Sequence, residues 1–181
     1  SWHHQIVVID NRFISERVNQ IRNWNMEFIQ GDILNKDVVK KYCEDADVIH
    51  HLAGVTDVPR TKNEASNTQD EKIKEVGEKG TQNILDVISD NCKIIFPSTH
   101  VVYEGINEIK TDIKEEEEVK PVLSYSSSKA VNEDQLKESG KNYVILRLGS
   151  VYGYSSDSMR IDIMPNLFSK IASQNGTLKL F

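Results

Sequence analysis

Long apolar runs, a surplus of basic residues, clustered cysteines and internal repeats are all missing from this chain, and each absence removes a class of function. No stretch approaches the ~20 apolar residues that a membrane-spanning helix needs, and no signal-like segment opens the chain. A soluble, cytoplasmic protein with no membrane partner is the expectation. Twenty-two Lys and Arg against 28 Asp and Glu leave a net charge of -6, whereas binding nucleic-acid phosphates requires a basic surface. The two cysteines, Cys43 and Cys92, match no metal or redox spacing and read as reduced, buried thiols. His3 and His4 alone make no metal site, so no metal ion is expected. What remains is ordinary for a soluble α/β protein: 181 residues, 38% hydrophobic and 28% charged, with a mean hydropathy of -0.47.

Short β-branched runs alternate with helix-like segments, which is the pattern of a parallel sheet with crossover helices. Strands are predicted at Gln5–Ile9, Met26–Ile29, Asp47–Leu52, Lys93–Phe96 (halted by Pro97) and Tyr143–Leu148. Helices are predicted from about Asn35 through Tyr42, over Gln69–Ile88, over Ser124–Glu138 and over Ile161–Ser173. Ile73, Val76, Ile84, Leu85 and Ile88 mark the inner face of the long second helix. Thr56–Asn67 reads as a polar loop, and Val101–Pro121 as a long connection whose acidic run, Glu115 to Glu118, is a solvated segment. In an open doubly wound sheet, ligands sit beyond the carboxyl ends of the strands. Asp10, Asp32, Ala53-Gly54, Ser98-Thr99 and Gly149-Ser150 all follow strand ends, so five polar or small clusters converge on one edge.

Chemistry can be read into several of these residues. An acid at the end of an early strand, Asp10, can accept hydrogen bonds from ribose hydroxyls and repel a 2'-phosphate, although Asp10-Asn11 also suits a plain turn. Asp32 can reach an adenine amino group. Tyr125 and Lys129 stand four apart in YSSSK and project from one helix face. An ammonium beside a phenol stabilises the phenolate and makes tyrosine usable as a base. Thr99 can polarise the reacting C–O bond, although Ser98-Thr99 also fits a turn after Pro97.

Seven ordered pieces carry a resemblance over nearly the whole length: VVIDN (7–11), GDI (31–33), HLAG (51–54), GTQNIL (80–85), FPSTHVVYEG (96–105), YSSSK (125–129) and LRLGSVYG (146–153). In these the chain resembles the extended short-chain dehydrogenase/reductases, the NAD-dependent nucleotide-sugar epimerase/dehydratase type that includes UDP-glucose 4-epimerase. The resemblance implies a catalytic trio of Tyr125 as base, Lys129 tuning it and orienting the cofactor ribose, and Thr99. It implies NAD lined by Asp10, Asn11, Asp32, Ile33, Leu52, Ala53, Gly54 and Ser98 along with Tyr125 and Lys129. Thr99, His100 and Ser150 would face a nucleotide-sugar substrate, and the long helices would build a homodimer. The implied fold is a Rossmann-type doubly wound sheet over residues 1–153, lacking its first strand-loop-helix unit. Residues 154–181 would begin a small substrate-binding region.

The departures bear on the reaction. The glycine-rich loop that offers backbone N–H groups to a pyrophosphate does not occur in this sequence, and neither does the strand before it. A fragment of a longer protein is the expectation. Gly77 stands where the family has asparagine, Glu104 interrupts its tyrosine-glycine pair, Ser150 replaces an asparagine and Tyr154 a proline. His100 and Val101 occupy the places of the Asp-Glu pair that eliminates water in the 4,6-dehydratases, which disfavours dehydration. The leading expectation is epimerisation of a nucleotide-activated sugar through a keto intermediate. The alternatives are an NAD(P)-dependent reductase or dehydrogenase of the same family, and a non-catalytic dinucleotide-binding module.

Overall fold

In the computed structural model, residues 4–55, 67–155, 159–161 and 163–179 are described. The predicted loop Thr56–Asn67 lies outside them, apart from Asn67, which opens a helix. Strands β1 (Val7–Asp10), β2 (Glu27–Gln30), β3 (Val48–His50), β4 (Lys93–Thr99) and β5 (Asn142–Leu148) alternate with helices. The helices are α1 (Ser15–Asn23), α2 (Lys36–Cys43), α3 (Asn67–Lys74), α4 (Gly80–Val87), α5 (Ser124–Glu138) and α6 (Met164–Ser173). Two compact units result, Ser1–Arg147 and Leu148–Phe181.

Helix α2 begins where sequence places it, because the Asn35 side chain accepts from the N–H groups of Asp37 and Val38 at 3.0 and 3.4 Å. The long predicted helix is α3 and α4 joined by a π-helical turn, Glu75–Lys79. Ile73, Ile84, Leu85 and Ile88 are buried on it as expected, and Val76 partly so. Helix α1 was not predicted. Val18 is its one buried residue, too little apolar periodicity to read.

The fold class is parallel α/β, with β1 paired to β2 and β3 to β4 in parallel. The hydrogen bonding divides, however, into a two-stranded sheet, β1-β2, and a three-stranded sheet in the order β3-β4-β5. Each of β1 and β3 keeps one edge without a strand partner among the described residues. Both sheets share one core, in which Val39, Cys43, Ile84, Leu85, Ile88, Ile94, Phe96 and Leu136 are buried, and Ile9, Ile33, Ile49 and Ile145 pack against it. Cys43 and Cys92 belong to that core as free thiols, and burial pushes the Cys43 thiol up to about 11.

Strand β4 does not halt at Pro97 but continues to Thr99. Lys93 N–H donates to the Asp47 carbonyl and His51 N–H to the Ile95 carbonyl, so the odd-numbered residues of β4 face β3. Residue 97 falls on that side after β3 has ended, and its missing N–H deprives no ladder. The strand therefore delivers Ser98 and Thr99 at its tip.

In the second unit, the Asn166 amide ties the chain together. It accepts from Gly153 N–H at 3.1 Å and donates to the Arg160 carbonyl at 2.9 Å.

The Ile6 and Asp10 carbonyls accept from the N–H groups of Glu27, in β2, and Gly31, just after it, and a parallel strand directs alternate residues to each neighbour. The N–H groups of Val7 and Ile9 therefore face the open edge, as do those of Val48 and His50 on β3. Amide exchange followed by NMR on this chain should show Val7, Ile9 and Val48 exchanging faster than Val8, Asp10 and Ile49. Equal protection along each strand would mean that the two edges are covered.

Candidate active site

Helix α5 presents one face to an open cleft. Tyr125, Ser128, Lys129 and Asn132 line it opposite Leu52, Ala53, Gly54 and Val55, with Ile73 and Gly77 from α3 and the π-helical turn. The spacing 125, 128, 129, 132 is a single helical stripe. The structure thus brings Tyr125 and Lys129 together with the Leu52-Ala53-Gly54 turn that follows β3. Ser128 and Asn132 were missed in the sequence, although the same stripe marks them.

Lys129 carries the strongest electrostatics here. Its Nζ donates to the Pro97 carbonyl at 2.9 Å and lies 4.4 Å from the Phe96 ring centre and 6.0 Å from that of Tyr125. The Pro97 carbonyl is on the side of β4 that β3 no longer covers, and the ammonium satisfies it. Burial lowers the Lys129 pKa to about 8, because a desolvated ammonium is costly.

Behind the cleft, His51 is buried and its Nε2 lies 2.8 Å from Thr81 Oγ1. The Thr81 hydroxyl donates to the Gly77 carbonyl at 2.7 Å, so His51 must donate through Nε2–H. Burial, together with the Lys129 charge, lowers its pKa to about 4 and keeps the imidazole neutral. The Asn132 amide donates to the same Gly77 carbonyl at 3.1 Å. A Cβ at position 77 would lie 2.5 Å from Ser128 Oγ, so glycine is what allows α5 to approach this closely.

At the tip of β4, Thr99 is nearly buried and its Oγ1 accepts from Val101 N–H at 3.3 Å, capping the short 3-10 turn His100–Tyr103. Ser98 donates to Glu133 Oε1 at 2.6 Å, facing α5 and not the cleft. Glu133 is 1% exposed and also takes Arg147 in a fork, Nη2 to Oε2 at 2.6 Å and Nε to Oε1 at 3.0 Å. Burial opposes its ionisation, but Arg147 and Ser98 outweigh that and hold the carboxyl below its ordinary value. His100 is exposed in the turn.

A second polar cluster forms beyond β1 and β2. Asn11 Nδ2 donates to Asp32 Oδ2 at 3.0 Å, Arg12 N–H to Asp10 Oδ1 at 2.8 Å, and Leu34 N–H to Asp32 Oδ1 at 2.9 Å. Asp10 is exposed, and Ile33 lies under α4, its carbonyl taking the Asn83 amide at 2.9 Å. None of Asp10, Asn11, Asp32 or Ile33 is among the cleft's lining residues. Ser150 belongs to the second compact unit.

A family model of the NAD dependent epimerase/dehydratase family matches residues 2–181. The chain belongs to that family. Among curated relatives, the CDP-paratose 2-epimerase of Salmonella typhi is 37% identical over 93 residues, 48% of this chain and 25% of that protein. Among solved structures, the UDP-glucuronic acid 4-epimerase of Bacillus cereus, in complex with UDP-glucuronic acid and NAD, is 25% identical. It superposes with a TM-score of 0.71 over 98% of this chain and 57% of that one. The fold is also that of the dTDP-glucose 4,6-dehydratase DesIV of Streptomyces venezuelae, solved with NAD bound, at a TM-score of 0.70 and 20% identity over 97% of this chain and 55% of that one. The chain spans about a quarter of the length of the curated relatives it matches and just over half of these structures.

The residues present suit a dinucleotide in part. A Cβ at Gly54 would meet nothing within 4 Å, which leaves open space at the turn where a flat ring or ribose could approach the backbone. No glycine-rich loop occurs in the sequence to cradle the pyrophosphate.

The displaced Lys129 titration has a thermodynamic consequence. Between pH ~8 and ~10.5 the unfolded chain holds a proton at this residue that the folded chain has lost, so stability from Lys129 rises with pH across that window. Relative to Lys129→Met, the wild-type chain should gain up to about 3 kcal/mol of unfolding free energy between pH 7 and pH 10.5, at about 1.4 kcal/mol per unit of pKa displacement. Urea unfolding of both chains at the two pH values measures it. A difference between the two chains that stays constant with pH would show an ordinary, solvated lysine.

Proposed function

We propose that the whole protein carrying this chain is an NAD-dependent epimerase of a nucleotide-activated sugar, with Tyr125 as its base. The carrying observation is the shared cleft: Tyr125 and Lys129 of α5 face the Leu52-Ala53-Gly54 turn across one open space. Leu52, Ala53, Gly54 and Lys129 would hold the nicotinamide end of the cofactor, and Asp10, Asn11, Asp32 and Ile33 the adenosine end. When bound, NAD supplies a hydride acceptor that returns the hydride after the sugar has changed face. Tyr125 takes the proton from a sugar hydroxyl, typically that at C4. Lys129 favours the phenolate through its charge, and Thr99 donates to the reacting oxygen so that the keto intermediate forms in a polarised environment. Ser98 serves by fixing β4 to α5 through Glu133. His100 and Ser150 complete the substrate side, and residues 154–181 begin the region that binds the sugar. We place the enzyme in the cytoplasm as a homodimer, built on the helices of residues 69–88 and 124–138.

A dehydrogenase reading has one observation in its favour. The curated relatives include an Arabidopsis thaliana 3beta-hydroxysteroid-dehydrogenase/decarboxylase, 24% identical over 147 residues. The same trio serves both reactions, and net NADH accumulation with a nucleotide sugar would favour the dehydrogenase.

Replacing Tyr125 by Phe in the whole protein should lower turnover of a nucleotide sugar by roughly 10²- to 10⁴-fold, the usual worth of a general base. NAD affinity should change little, since the ring remains. Turnover is followed by chromatographic separation of the two epimers. Unchanged turnover in Tyr125→Phe removes the reading.

A further inference from the structure

Glu104, which breaks the family's tyrosine-glycine pair, occupies a position that the proposed chemistry leaves unused. It closes the 3-10 turn that begins after Thr99, its own N–H donating to the Val101 carbonyl at 3.1 Å. Its Oε1 crosses to the start of α5, accepting from Val122 N–H at 2.8 Å, Leu123 N–H at 2.7 Å and the hydroxyl of Ser126. Ser126 is 1% exposed and immediately follows Tyr125.

Helix α5 supplies only part of this itself: the Ser126 hydroxyl oxygen reaches back to the N–H groups of Val122 and Leu123, at 3.3 and 3.2 Å. Its N-cap residue is Leu123, whose side chain has no polar atom to offer. A carboxylate drawn from 19 residues earlier takes the same two N–H groups at shorter range, 2.8 and 2.7 Å, and its charge complements the positive end of the helix. Burial opposes ionisation of Glu104, yet the bonds from Ser126, Leu123 and Val122 outweigh it and hold the carboxyl below its ordinary value.

The backbone around Glu104 is fastened on both sides. Lys120 N–H donates to the Val102 carbonyl at 2.7 Å and Gly105 N–H to the Lys120 carbonyl at 2.8 Å. A Cβ at Gly105 would lie 2.5 Å from that Lys120 oxygen, so the two segments of this neck meet at the distance only glycine permits. Thr99 and Glu104 therefore stand at the two ends of one short, fastened turn, with Thr99 Oγ1 capping its start.

We infer that Glu104 is a positioning residue: its carboxylate pins the first turn of α5 to the turn after Thr99 and thereby sets the spacing between Tyr125 and Thr99. The inference rests on the proposed roles of Tyr125 and Thr99, while the pinning itself is a property of this chain. Any displacement of α5's first turn moves the phenol relative to the threonine hydroxyl, and errors of about 1 Å in such geometry can cost on the order of 10²-fold in rate.

Two measurements on Glu104→Ala, Glu104→Gln and Tyr125→Phe test this. On the present chain, amide exchange at Val122 and Leu123 should accelerate in Glu104→Ala while Ile94 and Phe96 in β4 keep their protection. In the whole protein, Glu104→Ala should lower kcat for a nucleotide sugar by at least about tenfold, with KM and the NAD dissociation constant within about threefold of wild type. Glu104→Gln, whose amide oxygen still accepts from both N–H groups, should restore kcat to within about threefold. Wild-type kcat in Glu104→Ala overturns the inference, as does a loss of NAD affinity and KM in step with kcat. A Tyr125→Phe enzyme with full turnover overturns the functional reading instead, and leaves the exchange result to judge the pinning alone.

Discussion

One buried carboxylate holds β4, α5 and β5 in register. Glu133 lies on α5, takes the Ser98 hydroxyl from the tip of β4 and receives the Arg147 guanidinium from β5 in a fork. Three consecutive elements of the sheet-and-helix layer are thereby tied at one point. A buried charge is tolerated only when it is paired and fully hydrogen-bonded, and removing one partner of such a set typically costs about 3–5 kcal/mol. Arg147 extends the tie outward, reaching the Tyr103 hydroxyl and the Glu115 carbonyl. The long connection between β4 and α5 is thus anchored to the same carboxylate that fixes the helix.

From that register follows the chemistry of the cleft. With α5 docked against the tip of β4, Lys129 falls on the carbonyl that Pro97 exposes where β3 has ended, and is desolvated enough to titrate near 8. Tyr125 lies one turn earlier on the same face. Gly77 permits the close approach on the other flank, and its carbonyl gathers Thr81 and Asn132. The family's asparagine is absent from position 77, and an amide reaches the same spot from α5 through Asn132.

Much of this was legible in the sequence, because it is written in local patterns. The β-branched runs, the Asn35 cap and the Tyr125–Lys129 spacing each depend on neighbours a few residues apart, and the order of the seven motifs points to one family. What was not legible depends on partners far away in sequence. Helix α1 buries little beyond Val18 and has no strong apolar stripe to betray it. Pro97 reads as a strand stop unless one knows that β3 has already ended beside it. Glu104 shows in the sequence only as a break in a tyrosine-glycine pair, and Glu133 carries no local signal, since their meaning comes from Leu123, Ser98 and Arg147. The division of the sheet between β1 and β3 accords with the absence of the family's first strand from this sequence, although no local signal marks an unpaired edge.

The role proposed for this cleft requires a dinucleotide between α5 and the turn after β3. A crystal structure of the whole protein soaked with NAD measures that directly. The expected result places the ribose beside the nicotinamide within hydrogen-bonding distance, about 3 Å, of the Tyr125 hydroxyl and Lys129 Nζ, with the ring against Ala53 and Gly54. A dinucleotide bound elsewhere, leaving residues 125 and 129 untouched, would contradict it.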